Sequence, residues 1–279
     1  MEIGQASKTA FGVAIRRAAH QIVDRPPVLD DPIAVRMVGS VYPRKMERAQ
    51  HKVARDFRAF MAARSRYVED QLAEAVAQGV TQYVILGAGL DTFAYRNPFP
   101  GLRVFEVDFP ATQEWKRAKL AEASIDEPES LTFVPLDLEH HTLAEDLAGA
   151  GFDSRIPAYF GWLGVIPYLP LTAFRATLAT IGALPSGSAV GFDYALAPET
   201  LTPQGRTAFE ALSKRVAAAG EPFQLFFTPD AMEAELRQAG FRRFEQADSQ
   251  QLNERYFKDR ADGLKLSAVG LGMLVTAWV

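Results

Sequence analysis

Gln82-Tyr-Val-Ile-Leu-Gly-Ala-Gly-Leu-Asp91 decides the fold. Its first half is a β-branched and aromatic run, suited to a short buried strand. Gly87-Ala88-Gly89 follows at once. Glycines there let the backbone approach a ligand closely and expose amide N–H groups at a helix start. A two-glycine turn also serves as a plain strand-to-helix connection, and both readings stand at this point. The dinucleotide fingerprint asks for a third glycine at position 92, where Thr92 stands.

Similar runs recur downstream at Leu102–Asp108, Leu131–Pro135, Ala158–Phe160 and Ser188–Asp193. Helical stretches lie between them at 91–96, 110–123, 142–150 and 171–183. This alternation predicts a mainly parallel, doubly wound α/β sheet with right-handed crossovers. The end differs. A helix at 229–239 is followed by Phe241–Ala247 and Gly270–Val279, read as two strands with no helix between them, an antiparallel pair at one edge. Upstream, Ala10–Ile22 has helical spacing and Pro26-Pro27 breaks it. Asp30-Asp31-Pro32 marks a second helix start. Tyr67, Val68, Leu72, Val76 and Val80 form an apolar stripe that closes at Gly79. The expectation is one domain over 1–279, with a helical N-terminal cap at 1–63 and an inserted flap at 196–228.

Composition narrows the chemistry. The chain has 279 residues, 48% hydrophobic and 23% charged, as in an ordinary globular protein. With no cysteine, a disulfide scaffold, a thiolate nucleophile and Cys-ligated metal sites are excluded. A net charge of −4 leaves no basic excess for a phosphate backbone, so no nucleic-acid partner is expected. Lys8, Arg16 and Arg17 interrupt any signal-peptide core. The uncharged run 156–174 holds Pro157, Gly161, Gly164, Pro167 and Pro170, which suits a strand and turn rather than a membrane span. A cytoplasmic protein with no membrane partner is expected. GxSxG, HExxH and GxxxxGK[ST] patterns are absent, and no metal is expected.

The strand ends carry the candidate chemistry, because ligands bind beyond the carboxyl ends of such strands. Asp108 closes the second strand 21 residues after Gly87, near the spacing of an acid that bonds a ribose. Its other reading is a cap for the helix starting at Pro110. Glu106 projects to the same side, one step deeper. Asp137 and Leu138 follow the third strand, where an acid can accept from an adenine amino group and a leucine can cover the ring; a helix cap is the alternative. Arg64 and Arg66, placed ahead of the helix that leads into strand one, offer cations for a carboxylate. These tips suit an adenosine ligand. NAD needs a pyrophosphate site, whereas S-adenosylmethionine has no phosphate and needs the third glycine less.

Three stretches, Ala63-Arg64-Ser-Arg66-Tyr-Val-Glu-Asp70, Val84-Ile-Leu-Gly-Ala-Gly-Leu-Asp-Thr92 and Val104-Phe-Glu-Val-Asp-Phe-Pro110, resemble the leucine carboxyl methyltransferase-like family of S-adenosylmethionine-dependent methyltransferases, its bacterial branch above all. Lys8–Val13, Asp31–Ala34 and Arg255–Leu264 extend the likeness over nearly the whole chain. The resemblance implies a class I methyltransferase fold with seven strands, the last antiparallel. It implies Arg64 on the methionine carboxylate, and Gly87, Ala88 and Gly89 beneath methionine and ribose. Asp108 falls on the ribose hydroxyls, Phe109 against the ring, and Asp137 with Leu138 at the adenine. The eukaryotic enzymes place a glutamate after strand four to meet the cofactor's amino group. Here the aligned residue is Leu163, which leaves that contact to backbone carbonyls near Gly161 and Trp162, or to water.

The expected activity is O-methyl transfer to a small-molecule carboxylate or hydroxyl. An NAD-linked oxidoreductase and a non-catalytic binding protein are the alternatives. No catalytic base stands out. His20, His51, His140 and His141 read as structural or surface residues. Tyr168, Trp162, Asp193 and Tyr194 are candidates for lining an acceptor pocket. Phe223, Phe226 and Phe227 read as flap packing ahead of a lid.

Overall fold

The computed structural model describes residues 8–39, 52–139, 142–267 and 269–279. The N-terminal part holds α1 (Lys8–Val23), α2 (Pro32–Val38) and α3 (Lys52–Ala77). Asp31 caps α2, accepting the Ala34 N–H, with Pro32 in the first turn where no amide partner is needed. The sheet follows as β1 (Gln82–Leu86), β2 (Arg103–Asp108), β3 (Leu131–Pro135), β4 (Tyr159–Trp162), β5 (Ala189–Ala195), β6 (Arg243–Ala247) and β7 (Gly272–Trp278). Helices α4 (Pro110–Glu122), α5 (Leu143–Gly149) and α6 (Leu171–Gly182) connect the parallel strands, and α7 (Pro203–Ala218) lies in the flap. Then come α8 (Pro229–Gln238) and α9 (Ser249–Tyr256).

The strand order is β3-β2-β1-β4-β5-β7-β6. The first five pair in parallel. β7 enters between β5 and β6 and runs antiparallel to both. The chain reverses its strand order between β1 and β4, and the strand tips there frame the cleft.

β1 is buried throughout, and its alternation serves two cores. Tyr83 and Ile85 pack with Leu72 of α3 and Leu252 of α9. Val84 and Leu86 face the opposite layer with Phe160, Phe174 and Met232. Trp162 belongs to that second layer, fully buried and stacked on Phe174 at 5.8 Å, so it is a core residue rather than a pocket residue. Among the described residues, no helix is long and apolar enough to cross a membrane.

Two expectations are corrected. β6 and β7 are joined through α9, where no helix was expected. The missed signal was a capping box. Asp248 accepts the Gln251 N–H at 2.9 Å, and Gln251 Oε1 accepts the Asp248 N–H at 2.9 Å. Arg64 and Arg66 also sit within the single long α3, not ahead of a helix. One turn-fraction apart, they point differently. Arg66 is half exposed and pairs with Asp70, while Arg64 is buried.

His20 is structural. Its Nε2 accepts the Val28 N–H at 2.8 Å, so its proton lies on Nδ1, 2.8 Å from Asp24 Oδ2. Arg58 holds both oxygens of that aspartate. His51, His140 and His141 lie outside the described residues.

Candidate functional site

A cleft opens at the carboxyl ends of β1, β2 and β4 and is lined also by residues of α1 and of the segment after α7. Arg64, Gly87, Ala88, Gly89, Asp108, Phe109, Asp137 and Leu138 all line it. Residues up to 74 positions apart in sequence therefore share one cavity.

Gly87 needs its glycine twice over. Its φ is +65°, and a Cβ there would stand 2.2 Å from Val165 Cγ2. The close approach that requires this glycine is to Val165 in the loop after β4. Asp108 ties the turn to the next strand. Its Oδ2 accepts the Gly89 N–H at 2.5 Å and its Oδ1 the Phe109 N–H at 2.7 Å. Burial pushes its carboxyl above the usual carboxylate range, and those two amides oppose the shift. Beneath it, Glu106 is fully buried against Lys116 Nζ at 2.5 Å, and burial pushes its carboxyl up to about 7.

Thr92 has a definite task in place of the third glycine. Its hydroxyl donates to Asp31 Oδ1 at 2.7 Å and accepts from Arg17 at 2.9 Å. Arg17 also bonds Asp31 and Asp91, at 2.8 and 2.6 Å. The cap is thereby fastened to the loop that follows the glycine turn. Arg96, bonded to Glu69, lies 3.4 Å from the same Asp31. Sequence reading missed this network because its acids are scattered over 31–91.

On the β4 side, Arg64 donates to Asp193 Oδ2 at 3.0 Å, and Asp193 Oδ1 accepts the Gly164 N–H at 2.5 Å. Leu163, Gly164, Val165 and Tyr168 line the cleft here. Tyr168 shares a hydrogen bond with Thr9 of α1, and burial, then the Glu221 charge, pushes its phenol up to about 12. Asp193 anchors Arg64 and Tyr194 is buried in the core, where its hydroxyl bonds Gln246 at 2.7 Å. Phe223 and Phe226 pack with Phe209, and Phe227 with Phe174 and Tyr194. Phe223 and Phe226 thus pack on α7, and Phe227 joins the sheet core. Among the described residues, no cluster of acids and histidines could hold a metal ion.

Residues 10–182 match the family model for leucine carboxyl methyltransferase. The chain belongs to that family. It is 32% identical over 293 residues, covering 95% of each chain, to Bacillus subtilis YktD, a protein named among the S-adenosyl-L-methionine-dependent methyltransferases. A Mycobacterium avium protein of the same designation is 33% identical over 75% of this chain and 71% of its own. In three dimensions the fold is shared with a Thermobifida fusca crystal structure described as a methyltransferase, at a TM-score of 0.60, 18% identity and 99% and 96% coverage. A Streptomyces avermitilis structure gives 0.59 with 18% identity over 96% of both chains.

The protein is thus an S-adenosylmethionine-dependent methyltransferase with the class I fold. The cleft lining is compatible with that cofactor: an acid at β2 that can accept from hydroxyls, a guanidinium at α3 that can donate to a carboxylate, and apolar walls from Leu136, Leu138 and Phe109.

Proposed function

We propose that the protein is an O-methyltransferase acting on a small-molecule carboxylate or hydroxyl. The cofactor supplies the methyl group and the sulfur that leaves. In the proposed site Arg64 binds the methionine carboxylate, and the Gly87–Gly89 backbone runs beneath methionine and ribose. Asp108 takes the ribose hydroxyls, Asp137 and Leu138 the adenine, and Phe109 flanks the ring. The observation that carries the reading is that Arg64, the glycine turn, Asp108 and Asp137 line one cleft.

An in-line displacement asks the protein mainly for position and for exclusion of water. Among the described residues, no histidine lines the cleft, and the two arginines that do are paired with carboxylates. An acceptor already ionised at neutral pH needs no base, which suits a carboxylate. Residues of α1 and of the post-α7 segment join the strand tips in lining the cleft, which suits a small acceptor over a polymer.

The test is transfer of a labelled methyl group from S-adenosylmethionine to a panel of small carboxylic acids, phenols and alcohols. Label in an ester that releases methanol in base, or in a base-stable ether, supports the reading. Label recovered only on nitrogen or on protein contradicts it.

A further inference from the structure

Glu221 follows α7 and lines the cleft, only 7% exposed. Among the described residues its Oε2 has no hydrogen-bond partner. A carboxylate taken out of water without a donor is costly, so such a group marks where a donor is due. Its position narrows the donor. Gln224, three residues further on, is bonded to the Pro167 and Tyr168 carbonyls of the loop after β4. Glu221 therefore belongs to the β4–β5 side of the cleft, with Arg64, and not to the β2–β3 side, where Asp108 and Asp137 stand. At the tip of β4 itself the side chain facing the cleft is the apolar Leu163, which offers no acceptor. Charge points the same way. Among the described residues, five carboxylates and two arginines line the cleft, and both arginines already have acidic partners. That excess suits a ligand carrying positive charge, and S-adenosylmethionine has a sulfonium and an ammonium.

We infer that Glu221 accepts the hydrogen bonds of the cofactor's α-ammonium group, reaching it from the flap in place of any residue on β4. The inference rests on the proposed cofactor orientation, with the methionine end at Arg64. It makes the post-α7 segment part of the cofactor site. Pro222 fixes the backbone just after the glutamate, and Gln224 fastens the segment to the β4 loop. The Gln224 N–H donates to the Pro167 carbonyl at 2.7 Å, and its side-chain amide to the Tyr168 carbonyl at 2.6 Å.

The experiment is calorimetric titration with S-adenosylhomocysteine and with its analogue lacking the α-amino group. Wild-type protein is expected to prefer the amine by roughly tenfold or more, the scale of a charged hydrogen bond. Glu221→Gln, with an unchanged melting temperature, is expected to bind S-adenosylhomocysteine roughly tenfold more weakly and to lose most of that preference. Arg64→Ala should weaken both ligands alike, since both keep the carboxylate. Equal affinity of the wild type for the two ligands overturns the inference without any variant. A Glu221→Gln protein that keeps the full preference also overturns it, and moves Glu221 to the acceptor. If Arg64→Ala weakens both ligands while Glu221→Gln keeps the full preference, only the Glu221 assignment falls. If wild-type protein binds neither ligand, the cofactor-site reading falls and the inference with it.

Discussion

Arg64 and Asp193, 129 residues apart, meet at 3.0 Å with both side chains nearly buried. The contact joins the middle of α3 to the end of β5, and the second oxygen of Asp193 holds the Gly164 amide of the β4 loop. Gly164 can approach the guanidinium only because it lacks a side chain. A Cβ there would stand 2.8 Å from Arg64 Nη1, at a φ of +71°. Asp193 is therefore a positioning residue for Arg64. Asp193→Ala is expected to weaken S-adenosylhomocysteine binding roughly tenfold, and Asp193→Asn to recover only part of it, since its single amide oxygen can replace one of the two carboxylate acceptors. Calorimetry on the two variants checks this. Alanine binding at wild-type affinity would remove the positioning role.

The Arg17 network supports the same loop from the other side. Removing one partner of a buried ion cluster leaves uncompensated charge. Arg17→Met leaves Asp31 fully buried and Asp91 mostly so. It is expected to destabilise the protein by about 3 kcal/mol or more in urea unfolding. A loss under about 1 kcal/mol, the range of a surface pair, would show that Arg96 and Thr92 suffice for Asp31.

That network also sets an acid limit. Burial pushes the Asp91 carboxyl up, but Arg17, with Lys116 and Arg96, outweighs it and holds the group at about 2, below the ordinary 3.8. A lowered folded-state value gives stability that is present above the unfolded value and lost as pH falls. The expected loss is about 2 kcal/mol between pH 4 and pH 2. Thermal unfolding across that range should show a shallower decline in Asp91→Asn than in the wild type. Parallel curves for the two proteins would contradict the assignment.

Much of this was legible in the sequence because strand and helix periodicities are local. All seven strands fall where apolar runs predicted them, and the glycine turn and Asp108 share one end of the sheet. What escaped depended on distant partners or on polar sequence. Ser249–Tyr256 has no apolar stripe to mark it, and only its cap betrays a helix. Thr92 looked like a missing glycine until Arg17 and Asp31 folded onto it. Glu221, in Ala217-Ala-Ala-Gly-Glu-Pro222, reads as a solvent turn after a helix. Its burial comes from the flap closing against the β4 loop, which no window of sequence contains. Trp162 failed in the other direction, since a residue at a strand tip can still turn into the core.

The cofactor site itself is tested most directly by calorimetric titration of the wild type and Asp108→Ala with S-adenosylhomocysteine, beside NAD as the rival adenosine ligand. The expected result is one-to-one binding of S-adenosylhomocysteine, no binding of NAD, and a loss of about 2 kcal/mol in the folded alanine variant. Binding of NAD without S-adenosylhomocysteine, or unchanged affinity in Asp108→Ala, would contradict the account.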